Sequence, residues 1–297
     1  MMPVMRWCAS KGTVMRRWLV ALCLSGLSIS ASAGEFELPT LRGSSPFVPQ
    51  APQHTRWNGF YIGGQAGYGI ANTDYSGATQ SLISFMLREL ALENESRPSE
   101  WQVLGSTNRN GPSFGGFIGY NMQFEDVIVG IDFNYSRSNN FFSTAPVDPL
   151  SRVTSAGGNT YALTVDGAAS MQITDYGAAR LRGGWIVGNF LPYATLGVAV
   201  GRADITRSAR AYGAENPPAG YPTAPCNPFA GCVEFSFNSS EAKKAAYIFG
   251  WSAGAGIDML VTKNLFLRAE YEYTAFAKVQ GIEARISTAR VGGGVKF

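Results

Sequence analysis

The segment Val127-Ile128-Val129-Gly130-Ile131-Asp132-Phe133-Asn134-Tyr135-Ser136-Arg137 alternates between large apolar residues and small or polar ones. In a strand, successive side chains point to opposite faces. One face of this segment therefore suits lipid, and the other suits a crowded polar interior. That combination is typical of a strand in a transmembrane β-barrel. Residues 265–274 show the same division.

The same alternation predicts eight strands in all along the chain. We expect them at residues 59–70, 112–124, 127–137, 174–186, 191–202, 246–258, 265–274 and 284–297. The connections then alternate in length, because 125–126, 187–190 and 259–264 are short, while 71–111, 138–173 and 203–245 are long. The last connection, 275–283, is shorter than its long siblings. This pattern predicts an all-β, eight-stranded antiparallel transmembrane barrel with short periplasmic turns and long extracellular loops.

The composition agrees with a membrane barrel. The chain has 297 residues with 35 Gly, 12% aromatic and only 15% charged residues, against a usual charged share of about 25%. No apolar run reaches the roughly 18 residues that a spanning helix needs. Some of the surface must therefore face something other than water, and strands are the elements that would cross.

Aromatic residues sort by depth on the predicted strands. One outward-facing group lies near the outer end and comprises Tyr68, Phe114, Tyr135, Tyr247 and Tyr273. A second group lies near the inner end and comprises Phe60, Phe124, Trp185 and the C-terminal Phe297. Two such girdles are typical of the two membrane interfaces. A soluble β-sandwich has no reason to sort its aromatic residues in this way.

The N-terminal residues predict export. Arg16 and Arg17 precede an apolar run from Trp18 to Ile29, and Ala31-Ser32-Ala33 is a small-residue cleavage site. We expect a signal peptide at residues 1–33, a Pro-rich periplasmic lead-in at 34–56, and the barrel domain at 57–297. Met15 is a second candidate start. Cleavage would leave 20 basic and 21 acidic residues, so no basic surface for nucleic acid is expected.

Two of the four cysteines would leave with the signal peptide. Cys226 and Cys232 remain, close together in a Pro-rich and Gly-rich stretch. In an exported protein this pair predicts a disulfide that closes a short loop. A metal-binding pair is the weaker alternative, because no His or third Cys lies nearby.

Several stretches resemble a known family. Trp57-Asn58-Gly59-Phe60-Tyr61-Ile62-Gly63-Gly64, with Gly67-Tyr68-Gly69, is similar to the opening strand of the small porin-like surface antigens of alphaproteobacteria, which include haemin-binding relatives. Further similar stretches are Val129-Gly130-Ile131-Asp132, Leu191-Pro192-Tyr193-Ala194 and Arg290 to Phe297. The resemblance implies an outer-membrane barrel exposed at the cell surface. The long first loop and the cysteine pair in the third loop depart from the family.

Charged residues at inward positions predict a polar filling of the lumen. Seven of them fall near mid-height: Asp132, Arg180, Arg182, Arg268, Glu270, Glu272 and Arg290. Unpaired charge is costly in a low-dielectric interior, so we expect a paired network. The alternative is an ion path lined by charges, but eight strands leave an interior that side chains can fill.

Other candidate sites have simpler explanations. Gly250-Trp251-Ser252-Ala253-Gly254 matches a hydrolase nucleophile elbow, but that motif needs a strand-to-helix turn and a later His. The only His, His54, lies upstream, which also argues against zinc or haem ligation by His. Residues 81–95 carry a helix-like apolar cluster. It is either a partner-binding or membrane-surface helix or, as we prefer, an element packed against the barrel.

These observations predict a non-enzymatic integral outer-membrane protein with envelope-structural and surface-interaction roles. We expect no catalytic residues, no metal and no cofactor. The expected partners are outer-membrane lipid and lipopolysaccharide, the barrel-assembly machinery, and haemin or a host surface ligand, but not nucleic acid. The rival function is a narrow porin or a haemin-binding uptake protein. An outer-membrane enzyme is a third and weaker alternative.

Overall fold

The computed structural model describes residues 56–297, apart from the side chains of Asn139 and Asn140. The expected signal peptide and the lead-in as far as Thr55 lie outside this part of the chain. Its strands are β1 (Gly59–Asp74), β2 (Ser106–Phe124), β3 (Val127–Thr144), β4 (Leu150–Ala156), β5 (Asn159–Trp185), β6 (Phe190–Glu215), β7 (Val233–Leu260), β8 (Leu265–Phe276) and β9 (Glu283–Lys296).

Eight of these strands close into a ring of antiparallel neighbours. β1 pairs with β2 and β9, and the pairing of β3 with β5 completes the circle. β4 stands outside the ring and forms a hairpin with the outer end of β5. The predicted eight-stranded antiparallel barrel is therefore confirmed, and β4 is an addition that the sequence did not indicate.

The register fixes the stagger of the ring. We followed paired residues from strand to strand around the barrel, starting at Gln123 on β2. The path comes back to β2 at Ser113, so the register is displaced by ten residues (from 123 to 113) in one full turn. The residues between are Ile128, Gly184, Tyr193, Gly256, Glu270, Arg290 and Gly67. Such a stagger tilts the strands relative to the barrel axis, and eight strands enclose a space that side chains can fill.

An apolar belt surrounds the barrel. Its exposed side chains include Phe60, Ile62, Ile118, Val129, Ile131, Leu181, Leu196, Val198, Leu267 and Val291. The inward positions of the same strands are polar, small or charged. This arrangement is the reverse of that in a soluble protein and fits a surface in contact with lipid.

Four of the strands extend outward much further than the alternation predicts. Residues 138–144, 159–173, 203–215 and 233–245, which the alternation predicts to be loops, belong to β3, β5, β6 and β7. β1 and β2 extend by shorter segments, 71–74 and 106–111. The connections that remain at this outer end are 75–105, 145–158 with β4 inside it, 216–232 and the short 277–282. The prediction that the connections are longer at the outer end than at the inner end is thus correct. The predicted boundaries of the long loops are wrong, because the strands extend into them.

Irregularities in the strand pairing explain the error. The register shifts between Arg137 and Phe141 on β3, between Ile173 and Asp175 on β5, and opposite Ala203 and Ile205 on β6, where β7 carries the extra residue. On β5 the inward residues are odd-numbered from Tyr161 to Ile173 and even-numbered from Tyr176 to Gly184. Such β-bulges break a strict period of two.

The polarity of the sheet also reverses beyond the bulges. On β6, the inward residues Ala203, Ile205 and Ala209 are buried, whereas the outward residues Asp204 and Arg210 are exposed. Above the belt, the strands are therefore apolar inside and polar outside, as expected for a sheet in water.

The aromatic girdles lie where the sequence predicted them. Tyr68, Phe114, Tyr135 and Tyr247 are at least half exposed near the outer edge of the belt, with Tyr273 partly covered. Phe60, Phe124, Trp185 and Phe297 are more than 60% exposed at the inner edge. The aromatic residues therefore mark the two edges of the belt, where the membrane meets water on each side.

Two short helices lie in the first outer connection, α1 (Gln80–Leu87) and α2 (Ala91–Ser96). Leu82, Ile83 and Leu87 of α1 are buried against the inner face of the sheet. The apolar cluster in residues 81–95 therefore packs against the barrel. Neither described helix has the length and apolar character needed to cross a membrane.

Candidate functional site

The centre of the lumen holds a network of buried charges. We call it the lumen network. Its eight members are Asp132 on β3, Arg180 and Arg182 on β5, Asp258 on β7, Arg268, Glu270 and Glu272 on β8, and Arg290 on β9. All are buried, and the structure brings together all seven residues that the sequence placed at inward mid-height positions.

Arg180 lies at the middle of this network. Its Nη1 donates to Glu270 Oε1 at 2.8 Å and to Glu272 Oε1 at 3.1 Å. Its Nε donates to Asp132 Oδ1 at 3.2 Å, and its Nη2 is bonded to the same carboxylate. One guanidinium thus links β5 to β3 and β8 across the interior.

Asp258 is the member that sequence reasoning missed. Arg182 donates to it at 2.5 Å, and Arg268 donates through Nε at 2.9 Å. With Asp258 included, the network has four arginines and four carboxylates, so it is formally neutral. The sequence pattern could have identified Asp258. It is separated by an even number of residues from the inward-facing Ala246, Ile248 and Ser252 on β7, so its side chain also points inward.

Two tyrosines and Arg290 also bind the carboxylates of the network. Tyr61 donates to Asp132 at 2.8 Å, and Tyr193 donates to Glu270 at 2.8 Å. Arg290 forms ion pairs with Glu272 and with Glu270, the latter at 3.3 Å. Each carboxylate is therefore held by at least one arginine. Such an arrangement is suited to filling and crosslinking the interior, and it offers no free carboxylate for proton transfer.

An inner apolar cluster covers the network on its periplasm-facing side. It consists of Trp57, Tyr61, Phe117, Ile128, Leu191 and Phe266. Phe266 contacts Tyr61 and Phe117 with ring centroids 6.0 Å apart in both pairs. The guanidinium of Arg268 lies 4.0 Å from the centre of the Phe117 ring, so the aromatic layer directly adjoins the charged one. Interactions of this kind stabilise a desolvated cation.

An outer apolar cluster covers the network on the opposite side. It joins α1 to the inner face of the extended strands and includes Ile83, Leu87, Phe141, Met171, Ile173 and Phe276. Tyr75, which follows β1, is fully buried in it. Burial raises the pKa of the Tyr75 phenol, so its hydroxyl stays protonated and donates to the Ser143 carbonyl at 2.9 Å.

Arg207 holds α1 in place. This inward residue of β6 is 6% exposed. Its Nη1 donates to the Ala78 carbonyl at 3.1 Å, to Ser81 Oγ at 2.9 Å and to the Gln280 carbonyl at 3.1 Å. Glu241 on β7 accepts from its Nε at 2.9 Å. One side chain therefore connects the first and last outer connections to the wall of the barrel.

The third outer connection contains the disulfide between Cys226 and Cys232, whose Cα atoms are 5.5 Å apart. It closes a turn in which Asn227 Oδ1 accepts from the Phe229 amide at 3.0 Å. The Phe229 side chain is fully exposed at the end of this turn. The loop thus presents an apolar ring on a covalently closed support.

The hydrolase-like motif, Gly250-Trp251-Ser252-Ala253-Gly254, lies within strand β7. Ser252 is completely buried in the middle of β7, at an inward position, and its hydroxyl has no hydrogen-bond partner. It therefore does not lie on a turn between a strand and a helix. Within residues 56–297, no three His, Cys, Asp or Glu side chains form a group that could hold a metal ion.

Known proteins are similar to this chain along most of its length. The 25 kDa outer-membrane immunogenic protein of Brucella ovis is 22% identical over 286 residues, which cover 95% of this chain and all of that protein. Neisserial surface protein A is 17% identical, with a TM-score of 0.34 and coverage of 80% of this chain and 97% of that one. The Yersinia pestis attachment invasion locus protein, crystallised with the heparin analogue sucrose octasulfate, is 14% identical, with a TM-score of 0.31 and coverage of 80% and 99%.

The family model described as the outer membrane protein beta-barrel domain matches residues 19–297. That match and the Brucella relative confirm the surface-antigen resemblance seen in the sequence. The chain belongs to the outer membrane protein beta-barrel domain family and resides in the outer membrane of a Gram-negative bacterium.

Proposed function

We propose that this protein is a closed, non-catalytic barrel that supports the integrity of the outer membrane and presents its extracellular loops for surface interactions. One observation carries the proposal. The lumen contains three successive layers of buried side chains, the inner apolar cluster, the neutral lumen network and the outer apolar cluster with α1. A path for ions or solutes would have to cross both apolar layers, where a charge has no solvent.

The surface role is supported by the third loop. Residues 216–232 contain no charged side chain, and the disulfide limits the conformations of Phe229. A rigid exposed aromatic residue is an efficient anchor, because little conformational entropy is lost when a partner binds it. A host surface ligand remains our expected partner for this loop. The barrel-assembly machinery remains a predicted partner during insertion.

The rival functions have less support. A narrow pore requires a continuous polar path, and the lumen network is bounded by apolar side chains at both ends. Haemin uptake through a His or Cys iron ligand would require such a residue on the surface. The only His is His54, outside the described residues, and the cysteines of the third loop form a disulfide. The buried position of Ser252 argues against a serine hydrolase built on this motif.

Single-channel recording tests the closed lumen. Purified full-length protein, refolded in detergent and inserted into a planar bilayer, should give no discrete conductance steps. Reconstitution is verified in parallel by the amount of folded protein recovered from the membrane. Reproducible steps from the folded fraction would favour a pore. A haemin titration of the same sample, followed by the haem absorbance band, should show no saturable binding.

Cell measurements test the envelope role separately. Deletion of the gene should increase sensitivity to bile salts, and expression of the full chain should restore resistance. A variant in which residues 217–232, with both cysteines of the disulfide, are replaced by a short Gly-Ser linker should restore it equally, because the barrel is intact. Unchanged sensitivity of the deletion strain would contradict the envelope role. Loss of rescue by the linker variant would assign it to the loop.

A further inference from the structure

Above the belt, the sheet is taller on one side of the barrel than on the other. The outer parts of β5, β6 and β7, residues 159–173, 203–215 and 233–243, form a sheet that we call the outer sheet. β8 ends at Phe276 and pairs with β7 only from Gly250 inward. The outer part of β7 therefore has a neighbouring strand on one side only.

The hydrogen-bonding pattern shows which groups of β7 point to the free side. The Asn216 amide donates to the Thr160 carbonyl, so the even-numbered residues at the outer end of β6 bond to β5 and the odd-numbered ones bond to β7. Gly213 lies opposite Phe235, so Phe235 bonds to β6. The alternate residues of β7 turn their amide and carbonyl groups away from β6. We call them the open edge: Glu234, Ser236, Asn238 and Ser240.

No group within residues 56–297 hydrogen-bonds to the amides and carbonyls of the open edge, and all four of its side chains are exposed. An unpaired edge is a template for another strand, and proteins usually block it with lysine, proline or a bulge. β7 has such features only lower down, where Lys243 and Lys244 adjoin the register shift opposite Asp204. Residues 235–240 contain no charge, no proline and no bulge. This part of the edge is therefore free to pair.

The other edge of the outer sheet is less accessible. It is formed by β4, which has seven residues and lies against α2, where Ser96 Oγ is 2.6 Å from Thr154 Oγ1. The third outer connection folds onto the outer face of β5 and β6, where Tyr221 adjoins Tyr212 and Thr164. It leaves the open edge of β7 exposed.

The open edge is complementary to itself in one antiparallel register. In that register, Ser236 lies opposite Ser236 of a second copy. Phe235 then faces Phe237 of the second copy, and this aromatic pair occurs twice because of the two-fold symmetry. Glu234 faces Asn238, so no like charges meet. The Phe235 and Phe237 rings of one molecule are already neighbours, with centroids 5.8 Å apart, so four rings come together.

Cross-strand aromatic pairs stabilise a sheet, and the three edge-facing pairs exchange about six backbone hydrogen bonds. Moving the two-fold axis by one residue in either direction places one phenylalanine opposite itself and leaves a single aromatic pair. The side chains of the edge therefore select the register centred on Ser236.

The geometry of the outer sheet determines how the two copies are oriented. Antiparallel strands of one sheet are related by a two-fold axis perpendicular to that sheet. The outer sheet continues the wall of the barrel, so this axis lies parallel to the membrane. It inverts the second barrel, and both belts lie in lipid only when the two copies occupy opposed membranes. Copies in one membrane are related by an axis along its normal, which does not bring the two edges into antiparallel pairing.

We propose that the open edge joins this protein to a second copy in the outer membrane of a neighbouring cell. Residues 233–239 of the two molecules form the contact and extend the outer sheet of each across the gap between the cells. The inference goes beyond the envelope role and the host contact of the third loop, because it uses another segment and another partner.

Substitutions at the open edge test the contact in full-length protein refolded in detergent. Ser236→Pro removes an amide of the open edge but no bond to β6, and proline is tolerated where the amide faces solvent. It should raise the dissociation constant of the dimer about tenfold or more, as measured by analytical ultracentrifugation. Ser236→Lys keeps the amide but places like charges opposite each other, so it should also weaken the dimer. Ser240→Pro is the matched control, because Ser240 lies on the same edge outside residues 233–239, and it should have no effect.

Cell mixing tests the opposed membranes. Cells of a non-aggregating strain that express the protein should form aggregates, and labelled cells without the protein should be excluded from them. Expression of the Ser240→Pro variant should give the same aggregates, and expression of Ser236→Pro should give none.

A cysteine at the two-fold axis tests the register. Opposite residues of a hydrogen-bonded pair have Cα atoms about 5.5 Å apart, which suits a disulfide. Ser236→Cys should therefore form crosslinked dimers in aggregated cells but not in dispersed ones. Ser240→Cys should form none in either, because its symmetry mate lies far along the strand.

Several results would overturn the proposal. Equal effects of the two proline variants would exclude the register, and recruitment of cells that lack the protein would indicate another receptor. Crosslinking of Ser236→Cys in dispersed cells as efficiently as in aggregates would place both copies in one membrane. A protein that stays monomeric and does not aggregate cells would exclude self-association. Faster migration of unboiled protein on a detergent gel identifies the variants that fold, and conductance and bile-salt sensitivity test the closed barrel independently.

Discussion

Asp258 on β7 receives two parallel hydrogen bonds from the guanidinium of Arg268 on β8, from Nε to Oδ1 at 2.9 Å and from Nη2 to Oδ2 at 3.1 Å. The same carboxylate also accepts from Arg182. Two-pronged pairing of this kind gives both energy and geometric specificity. Asp258 is therefore the fourth carboxylate that neutralises the four arginines of the lumen, and it ties β5, β7 and β8 together.

Replacing Asp258 by Asn should be strongly destabilising. The change conserves shape but leaves the lumen with an uncompensated positive charge, which generally costs about 3 to 5 kcal/mol. The free energy of unfolding of the refolded barrel in urea measures this effect. Asp175→Asn is the matched control, because Asp175 pairs with an arginine that is 47% exposed and such pairs contribute about 1 kcal/mol or less. Equal costs for the two variants would contradict a buried network.

The strand ends explain how far sequence reasoning could reach. Four predicted strand ends, near residues 137, 174, 202 and 246, lie next to the register shifts on β3, β5, β6 and β7. Within the belt, lipid imposes one alternation that is readable from the sequence. Beyond the bulges, the alternation changes phase and the outward face becomes mostly polar. A search for strands whose outward residues are all apolar therefore ends at the bulges. To recognise the outer halves of these strands, one would have to search for the pattern of a sheet in water, in which the inward residues are apolar and the outward residues are polar.

The candidate site was predictable to a similar extent. Inward phase and charge were enough to identify seven residues that the structure brings into contact, because every one lies inside the belt. Asp258 was missed although it follows the same rule, since it lies at the last position of its predicted strand. The apolar cluster at residues 81–95 predicted an element packed against the barrel, and α1 packs there. Its contacts with Arg207 depend on how the long first connection folds back into the barrel, which no local pattern in the sequence indicates.

The attachment of α1 should depend on Arg207. Replacing Arg207 by Met removes hydrogen bonds to Ala78, Ser81 and Gln280, so the first connection should detach more often. Trypsin should then cleave faster after Arg88 and Arg97, both of which are exposed. The outward-facing Arg210→Met on the same strand serves as control. Unchanged cleavage rates in the Arg207 variant would show that apolar packing alone retains the helix.

The disulfide should affect the third loop and not the barrel. Exported protein should show no reaction of Cys226 or Cys232 with a thiol reagent in denaturant, and two reactive thiols after reduction. Replacing both residues by Ser should increase proteolysis of the loop while the urea midpoint of the barrel stays constant, because the closed segment is short and local. Labelling without reductant would contradict the bond in the exported protein.

The closed ring should resist detergent. Within the membrane belt, every strand of the ring has two paired neighbours, so no edge is available there to start unfolding in a micelle. Protein extracted from outer membranes should therefore migrate faster on a detergent gel when unboiled than when boiled. Protein denatured in urea before loading serves as the unfolded reference. Identical migration of unboiled and boiled samples would argue against a closed barrel.

Arg290 distinguishes a filled lumen from a hydrated path. It is 3% exposed, pairs with Glu270 and Glu272, and donates to Ser136 Oγ at 3.3 Å. Arg290→Ala should leave carboxylates partly unpaired in a desolvated interior and cost about 3 to 5 kcal/mol. Arg290→Ala with Glu272→Ala should cost less, because the charge is removed with its partner.

In an open, hydrated path, water would replace the lost arginine, so stability would hardly change while conductance or ion selectivity would shift. Urea unfolding and planar-bilayer recording of the same variants separate these outcomes, and unchanged stability with a clear shift in conductance would overturn the closed lumen.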